Sequence, residues 1–125
     1  MRYIVLIYHA EQSWSAYTDD ERQQIYGEYR DLIEDLQAQG KYVAGDELQP
    51  TDTACSVKVR DGERMVTDGP FAETREQVGG FFLVDVKNQE EAISIAGRIP
   101  SARRGTIEVR PVVVTTSSEA APQTV

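Results

Sequence analysis

The sequence predicts an α+β fold, a ferredoxin-like sandwich with an antiparallel sheet and two helices on one face. The first observation is the order of the patterns along the chain: strand, helix, strands, strand, helix, strand. The second is that residues 4–7 and 81–84 are apolar on both sides, so the face without helices also needs a cover. A second copy of the sheet is the simplest cover, because a two-fold pair buries the same patch on both chains. We therefore expect a homodimer, a dimeric α+β barrel-type assembly.

The composition limits the class of partner and the location. The chain has 125 residues and a formal net charge of −8, and an acidic surface repels nucleic-acid phosphates and anionic membranes. No apolar run approaches the ~20 residues of a membrane span. The apolar run within residues 2–8 is also too short for the core of a signal peptide. We expect one cytoplasmic domain over residues 1–114, with no nucleic-acid or membrane partner.

The first strand and the first long helix have the clearest patterns. Residues 2–8 are β-branched and aromatic, which is typical of a strand buried on both faces. Thr18 followed by Glu21 predicts a capping box at a helix start, and Gly40 predicts the helix end. Apolar residues between them recur at three- and four-residue steps and form one stripe: Ile25, Tyr29, Leu32, Ile33 and Leu36.

A β-hairpin is predicted in the middle of the chain. Residues 41–50 indicate a short extended piece and a turn. Residues 53–60 alternate in polarity and end at Asp61-Gly62, a strong signal for a two-residue turn. The returning strand is expected at residues 64–67.

The carboxyl-terminal part repeats the strand, helix, strand order. Residues 80–86 indicate a buried strand, and residues 88–98 a helix whose first residue, an asparagine, can cap it. Residues 106–114 indicate the last strand, and Pro111 within it favours an edge position or a bulge. The polar residues 115–125 are expected to form a disordered tail.

Several motifs together carry a family resemblance. Three lie close together: TDGPF at 67–71, AETREQ at 72–77 and GGFF at 79–82. Others are spread along the chain: RYIVLIY at 2–8, GDELQP at 45–50, DG at 61–62, IPSA at 99–102 and IEVRP at 107–111. With these motifs the chain resembles the DGPF-type subfamily of the YCII-related proteins, over nearly its whole length short of the tail. The resemblance implies a dimerising ferredoxin-like fold, a largely unassigned role and an association with extracytoplasmic-function (ECF) sigma factors.

One departure from the wider family bears on activity. YCII-related proteins resemble enzymes with a histidine in the first helix and an aspartate just before a proline in the last loop. Here the first helix has Tyr26 and Tyr29 but no histidine, and Ile99 precedes Pro100. A mechanism that depends on that pair is therefore not carried over to this chain.

The motif Asp68-Gly69-Pro70-Phe71 predicts a rigid corner between two core strands. Proline fixes φ and glycine tolerates a positive φ, so the central pair forms a sharp turn. In the structural interpretation, Asp68 caps backbone amides and Phe71 inserts into the core.

The charged residues around this corner have more than one interpretation. Glu73 and Arg75 can pair as part of a structural corner. Alternatively, Asp68, Glu73 and Arg75 rim a small pocket that binds a polar ligand or relays a proton. A third interpretation is contact with the second subunit.

The histidine and the cysteine are the other reactive side chains. His9 follows the first strand, where it is either a solvated loop residue or a ligand or base facing a cleft. Cys55 alternates with polar residues and is expected to be a small buried apolar group rather than a nucleophile. One histidine and one cysteine give no metal-ligand spacing, so we expect no metal, and no motif indicates a cofactor.

Two aromatic residues precede the first long helix. Trp14 and Tyr17 can form an apolar lid over a cleft between the sheet and this helix. The favoured alternative is a hydrophobic staple before Thr18.

Two functions are compatible with these observations. The favoured one is a small dimeric module that binds a small ligand or regulates a protein partner, with His9, Asp68, Glu73 and Arg75 as candidate ligand-binding residues. The alternative is an enzyme that performs acid/base chemistry on a small molecule in the dimer cleft.

Overall fold

A computed structural model describes residues 1–114, and the disordered tail predicted at 115–125 lies outside them. Three helices lie within this range: α1 Glu11–Ser15, α2 Asp19–Ala38 and α3 Gln89–Arg98. The strands are β1 Arg2–His9, β2 Tyr42–Glu47, β3 Cys55–Arg60, β4 Glu63–Asp68, β5 Gln77–Asp85 and β6 Thr106–Pro111. None of these helices has the length and apolar content that crossing a membrane requires.

The main sheet has four strands in the order β2-β5-β1-β6, and every neighbouring pair is antiparallel. This arrangement confirms the predicted α+β fold with an antiparallel sheet, and it is consistent with the ferredoxin-like class. β6 pairs only with β1, so Pro111 lies on an edge strand, as predicted. β2 is the segment that the sequence indicated only as a short extended piece.

The core lies between one face of this sheet and the two longer helices. Tyr3, Val5 and Ile7 alternate along β1 and are buried there with residues of α2 and α3. The most completely buried apolar side chains are Leu36, Ile99, Val5 and Val84. Burying a side chain of this size contributes about 1.5–3 kcal/mol, so this one layer supplies most of the apolar stabilisation.

The predicted capping box at the start of α2 is present. The Glu21 amide donates to Thr18 Oγ1 at 3.1 Å, and the Thr18 amide donates to Glu21 Oε1 at 2.9 Å. Gly40 follows the helix with φ 70°, and the amide of Lys41 donates to the carbonyl of Leu36 at 2.9 Å. Both ends of α2 are therefore set by local residues, as the sequence predicted.

The predicted hairpin forms, but it does not join the main sheet. Asp61 and Gly62 both have positive φ, 52° and 78°, as a two-residue hairpin turn requires. β3 and β4 pair only with each other, so neither face of the hairpin is covered by the main sheet. The expectation that Cys55 is buried is therefore wrong, and Val57 on the same strand is 55% exposed.

The corner after β4 turns as predicted, but Phe71 does not enter the core. Gly69 has φ 95°, and its amide donates to the carbonyl of Ala54 at 2.7 Å. Phe71 is 82% exposed, with Lys58 Nζ 5.7 Å from its ring centroid. The expected insertion of Phe71 is wrong because this corner belongs to the projecting hairpin.

Candidate functional site

A cavity of about 390 Å³ lies between α2 and the part of the sheet formed by β2 and β5; we call it the α2 cavity. Five helices and strands line it, β1, α1, α2, β2 and β5, together with the turn after α3, and most of the lining is aromatic, aliphatic or glycine. The lining residues are Ile7, His9, Trp14, Ile25, Tyr26, Tyr29, Arg30, Ile33, Tyr42, Gly45, Asp46, Glu47, Gly79, Gly80, Phe82 and Ser101.

Glycines leave room for this cavity against the sheet. A methyl group at Gly45 would lie 2.6 Å from the Tyr42 hydroxyl oxygen and 2.8 Å from the Phe81 carbonyl oxygen. A methyl group at Gly79 would overlap the His9 imidazole. These two glycines let the polar ends of Tyr42 and His9 lie close to the sheet.

Aromatic side chains form two groups along the cavity. The ring centroids of Trp14 and Tyr26 are 5.5 Å apart, with the rings edge to face. In the second group, Phe82 meets Tyr42 at 5.4 Å and Tyr29 at 6.2 Å, again edge to face. Aromatic pairs favour this geometry, which holds the rings in fixed orientations around an apolar space.

The polar groups of the cavity are few and defined. The Tyr26 hydroxyl donates to the Glu47 carboxylate, with oxygen–oxygen distances of 3.1 and 3.0 Å. Tyr29 Oη and Ser101 Oγ share a hydrogen bond of 2.7 Å. Burial raises the pKa of Tyr26, Tyr29 and Tyr42, so all three phenols are neutral near pH 7. Neutral phenols can donate hydrogen bonds to a ligand.

Trp14 belongs to the short helix α1, which two contacts hold in place. The Glu11 carboxylate accepts from the Thr51 amide at 2.8 Å and from the Thr51 hydroxyl at 2.9 Å. The Glu11 amide donates to Gln77 Oε1 at 3.1 Å. These bonds tie α1 to the segment after β2 and to the start of β5, and so they fix Trp14 at the cavity.

The position of Trp14 favours the lid interpretation over the staple. A hydrophobic staple needs an apolar residue at the fourth helical position, which in α2 is Arg22. The Arg22 guanidinium instead lies 5.9 Å from the centroid of the Trp14 ring. Sequence reasoning favoured the staple because it could not show that Trp14 lines a cavity together with residues of β2 and β5.

The structure brings only one of the four candidate ligand-binding residues to the α2 cavity. His9 lines it, beside Gly79. Asp68, Glu73 and Arg75 are exposed and line neither this cavity nor the smaller one beside it. Within residues 1–114, no ion pair joins Glu73 to Arg75, and no hydrogen bond of the Asp68 side chain to a backbone amide is present. A ligand-binding role for these three residues stays a prediction.

Sequence reasoning missed several lining residues because they come from different elements. Glu47 was assigned to a turn, Tyr29 to the apolar stripe of the first long helix, and Tyr26 was considered only as a position without histidine. The available signal was glycine inside apolar strand patterns, at Gly79 and Gly80, which marks a close approach to the sheet. Across the described 114 residues, no cluster of three histidine, cysteine or acidic side chains is arranged to hold a metal ion.

We predict that Gly79→Ala displaces the His9 imidazole. The added methyl group would overlap the ring, and the ring can rotate away more easily than the backbone can move. His9 is the only histidine of the sequence, so its ring signals in a proton–carbon NMR spectrum are unambiguous. We expect them to shift in Gly79→Ala and to stay in place in Gly97→Ala, where a methyl group meets no atom within 4 Å. Unchanged His9 signals in Gly79→Ala would contradict the packing described above.

Two comparisons with known proteins each cover nearly the whole chain. A family model described as "YCII-related domain" matches residues 1–116 of the chain. An uncharacterized protein of Rhizobium meliloti (strain 1021) is 34% identical over 116 residues, which cover 91% of this chain and 94% of the relative. The match therefore extends over all the strands and helices that position the α2 cavity.

Proposed function

This chain belongs to the YCII-related domain family, and from that premise we propose that it is a dimeric module that binds a small organic molecule in the α2 cavity. The cavity is the observation that supports this function. Its volume of about 390 Å³ lies within the roughly 300–1,000 Å³ range of small-molecule sites. Its aromatic walls and few polar groups are also typical of such sites. The TDGPF motif at residues 67–71 further supports placing it in the DGPF-type subfamily.

Native mass spectrometry of the purified protein tests the binding function. We expect a small molecule to be retained, or to be bound from a metabolite library, and denaturing analysis then gives its mass. Trp14→Ala removes a large part of the cavity wall and should weaken binding at least about tenfold. Phe71→Ala is the matched control, because Phe71 is an exposed aromatic residue that does not line the cavity. Equal binding by both variants would contradict the proposed site, as would a failure of the wild type to bind any molecule.

The dimer is proposed from the face of the sheet that carries no helices. Ile4 and Leu6 on β1 lie opposite Leu83 and Phe81 on β5, and these four apolar side chains are half-buried in the single chain. They alternate with the core residues of the same strands, so they share the open face. A second copy of this face would cover them.

A regulatory role is proposed from the family resemblance. In this regulatory role, the protein acts in the cytoplasm and its protein partner is an ECF sigma factor. Chemical crosslinking in the native cells, followed by mass spectrometry of the captured proteins, tests the partner. Recovery of this chain without any sigma factor would count against it.

A second candidate function is supported by the position of His9. The imidazole and the Glu47 carboxylate line the same cavity, so the imidazole can take a proton from a bound molecule and return it, while the carboxylate helps to hold that molecule. This arrangement would support proton transfer on a small organic substrate. The Gly79→Ala variant discriminates, because it displaces the His9 imidazole and removes no side chain of the cavity lining. Turnover that survives in this variant excludes His9 as the base.

A further inference from the structure

We infer that the molecule bound in the α2 cavity is a small organic cation, an amine that carries an apolar body. This inference rests on the proposed binding function and specifies its ligand class. The observation that supports it is a carboxylate that forms no ion pair within residues 1–114 and that lines the same cavity as aromatic rings. Glu47, Trp14 and Tyr26 form this end of the cavity.

Glu47 has unused capacity to accept hydrogen bonds. A carboxylate offers about four acceptor positions, and the Tyr26 hydroxyl supplies a single proton shared between the two oxygens. In the described part of the chain, no lysine or arginine forms an ion pair with Glu47. Glu47 is exposed in the single chain, so its remaining acceptor positions face water, and an ammonium group would replace these water donors with charged ones.

The aromatic rings at this end attract cations. The Arg22 guanidinium lies 5.9 Å from the Trp14 ring centroid, and the Arg104 guanidinium lies 5.3 Å from that of Tyr17. These distances are those of cation–π contacts. Of these two rings only Trp14 lines the α2 cavity, and its contact with Arg22 indicates a ring that attracts cations.

The charge balance of the lining also favours a cation. Two carboxylates, Asp46 and Glu47, line the cavity against one guanidinium, Arg30, which gives a formal charge of −1 with His9 neutral. The whole chain adds a net charge of −8, which raises the local concentration of cations. Arg30 in the lining and Arg22 beside Trp14 are the groups that would favour an anion. Arg30, Asp46 and Glu47 are all exposed in the single chain, so solvent screens these three charges alike.

Three probes with the same phenethyl body test the ligand class: 2-phenylethylamine, 2-phenylethanol and 3-phenylpropionate. They carry an ammonium, a hydroxyl and a carboxylate group, respectively. Binding is followed by the fluorescence of Trp14, the only tryptophan of the sequence, and by calorimetry. We expect the amine to bind on the order of tenfold more tightly than the alcohol, and the carboxylate to bind least.

Two variants of the cavity lining complete the test. Glu47→Gln keeps a hydrogen-bond acceptor for Tyr26 but removes the charge, so it should abolish the preference for the amine and leave alcohol binding unchanged. Arg30→Gln is the matched control, because it removes the opposite charge from the same cavity and should not weaken amine binding.

The outcomes separate the ligand class from the binding function itself. Equal affinity for the amine and the alcohol overturns the cation inference, while the cavity remains a binding site. Tightest binding of the carboxylate, lost in Arg30→Gln, overturns it in favour of an anion. Absence of binding for all three probes at millimolar concentration overturns the cation inference. The binding function is then decided separately, by whether native mass spectrometry finds a retained molecule.

Discussion

Replacing Gly105 by alanine is expected to lower the free energy of unfolding by about 3 kcal/mol, a large effect for one methyl group. The added carbon would overlap the Tyr8 carbonyl oxygen and would lie 3.1 Å from the His9 Cα. Both are backbone atoms of β1, and Tyr8 pairs there with Thr106 of β6. The clash can be relieved only by moving β6 away from β1, which breaks the sheet pairing at that end.

Urea unfolding, followed by circular dichroism, measures this effect. Gly97→Ala is the matched control, because Gly97 lies in α3 and a methyl group there meets no atom within 4 Å. Alanine also has the higher helix propensity, so this control should gain up to about 1 kcal/mol. A Gly105→Ala protein as stable as the wild type would show that the β1–β6 end is not packed as described.

Replacing Leu6 by arginine is expected to convert the dimer into monomers. Leu6 lies on the open face of the sheet, opposite Phe81, and the proposed two-fold interface would bring its copies close together. A stable dimer interface buries roughly 1,200 Å² or more of accessible surface. Each new guanidinium group would lie beside Glu108, the cross-strand neighbour of residue 6 on β6, but removing both guanidinium groups from water would still cost several kcal/mol. Since about 1.4 kcal/mol is tenfold in Kd, a loss of this size should dissociate the dimer at micromolar concentration.

Light scattering over a micromolar dilution series, with the chain mass of 14.0 kDa as the monomer reference, measures the change. Ile93→Arg is the control, because Ile93 is an apolar residue 46% exposed on α3, across the sheet from the open face. It should leave the dimer intact. A monomeric wild type at all concentrations would exclude the dimer, and a dimeric Leu6→Arg protein would exclude this face as its interface.

Local signals in the sequence predicted local structure well. The Thr18–Glu21 capping box and the Asp61-Gly62 turn need only residues near in the chain, and both are present. The nearly continuous apolar runs of β1 and β5 also predicted strands that are apolar on both faces, one face under the helices and the other in need of a cover. In each case the residues that decide the structure lie within a few positions of one another.

Predictions that required knowledge of what covers a face were less accurate. Alternation in β3 shows that Cys55 and Val57 share a face, but it does not show that this face is left open. Phe71 was wrongly placed in the core for the same reason. A cleft between the sheet and the first long helix was one of two alternatives at Trp14, but its polar lining was missed because Tyr26, Tyr42 and Glu47 meet only after β2 has paired with β5.

The separation of the β3–β4 hairpin from the main sheet has a consequence for local unfolding. The hairpin pairs only with itself and contributes none of the lining of the α2 cavity. It can therefore open as an independent unit, at a free energy well below that of global unfolding. Its exposed turn at Asp61-Gly62 is then the preferred site of proteolytic nicking. If the chain is cut there, the pairing of β5 with β1 and β2 holds the two fragments together. The four-stranded sheet and the α2 cavity are then kept.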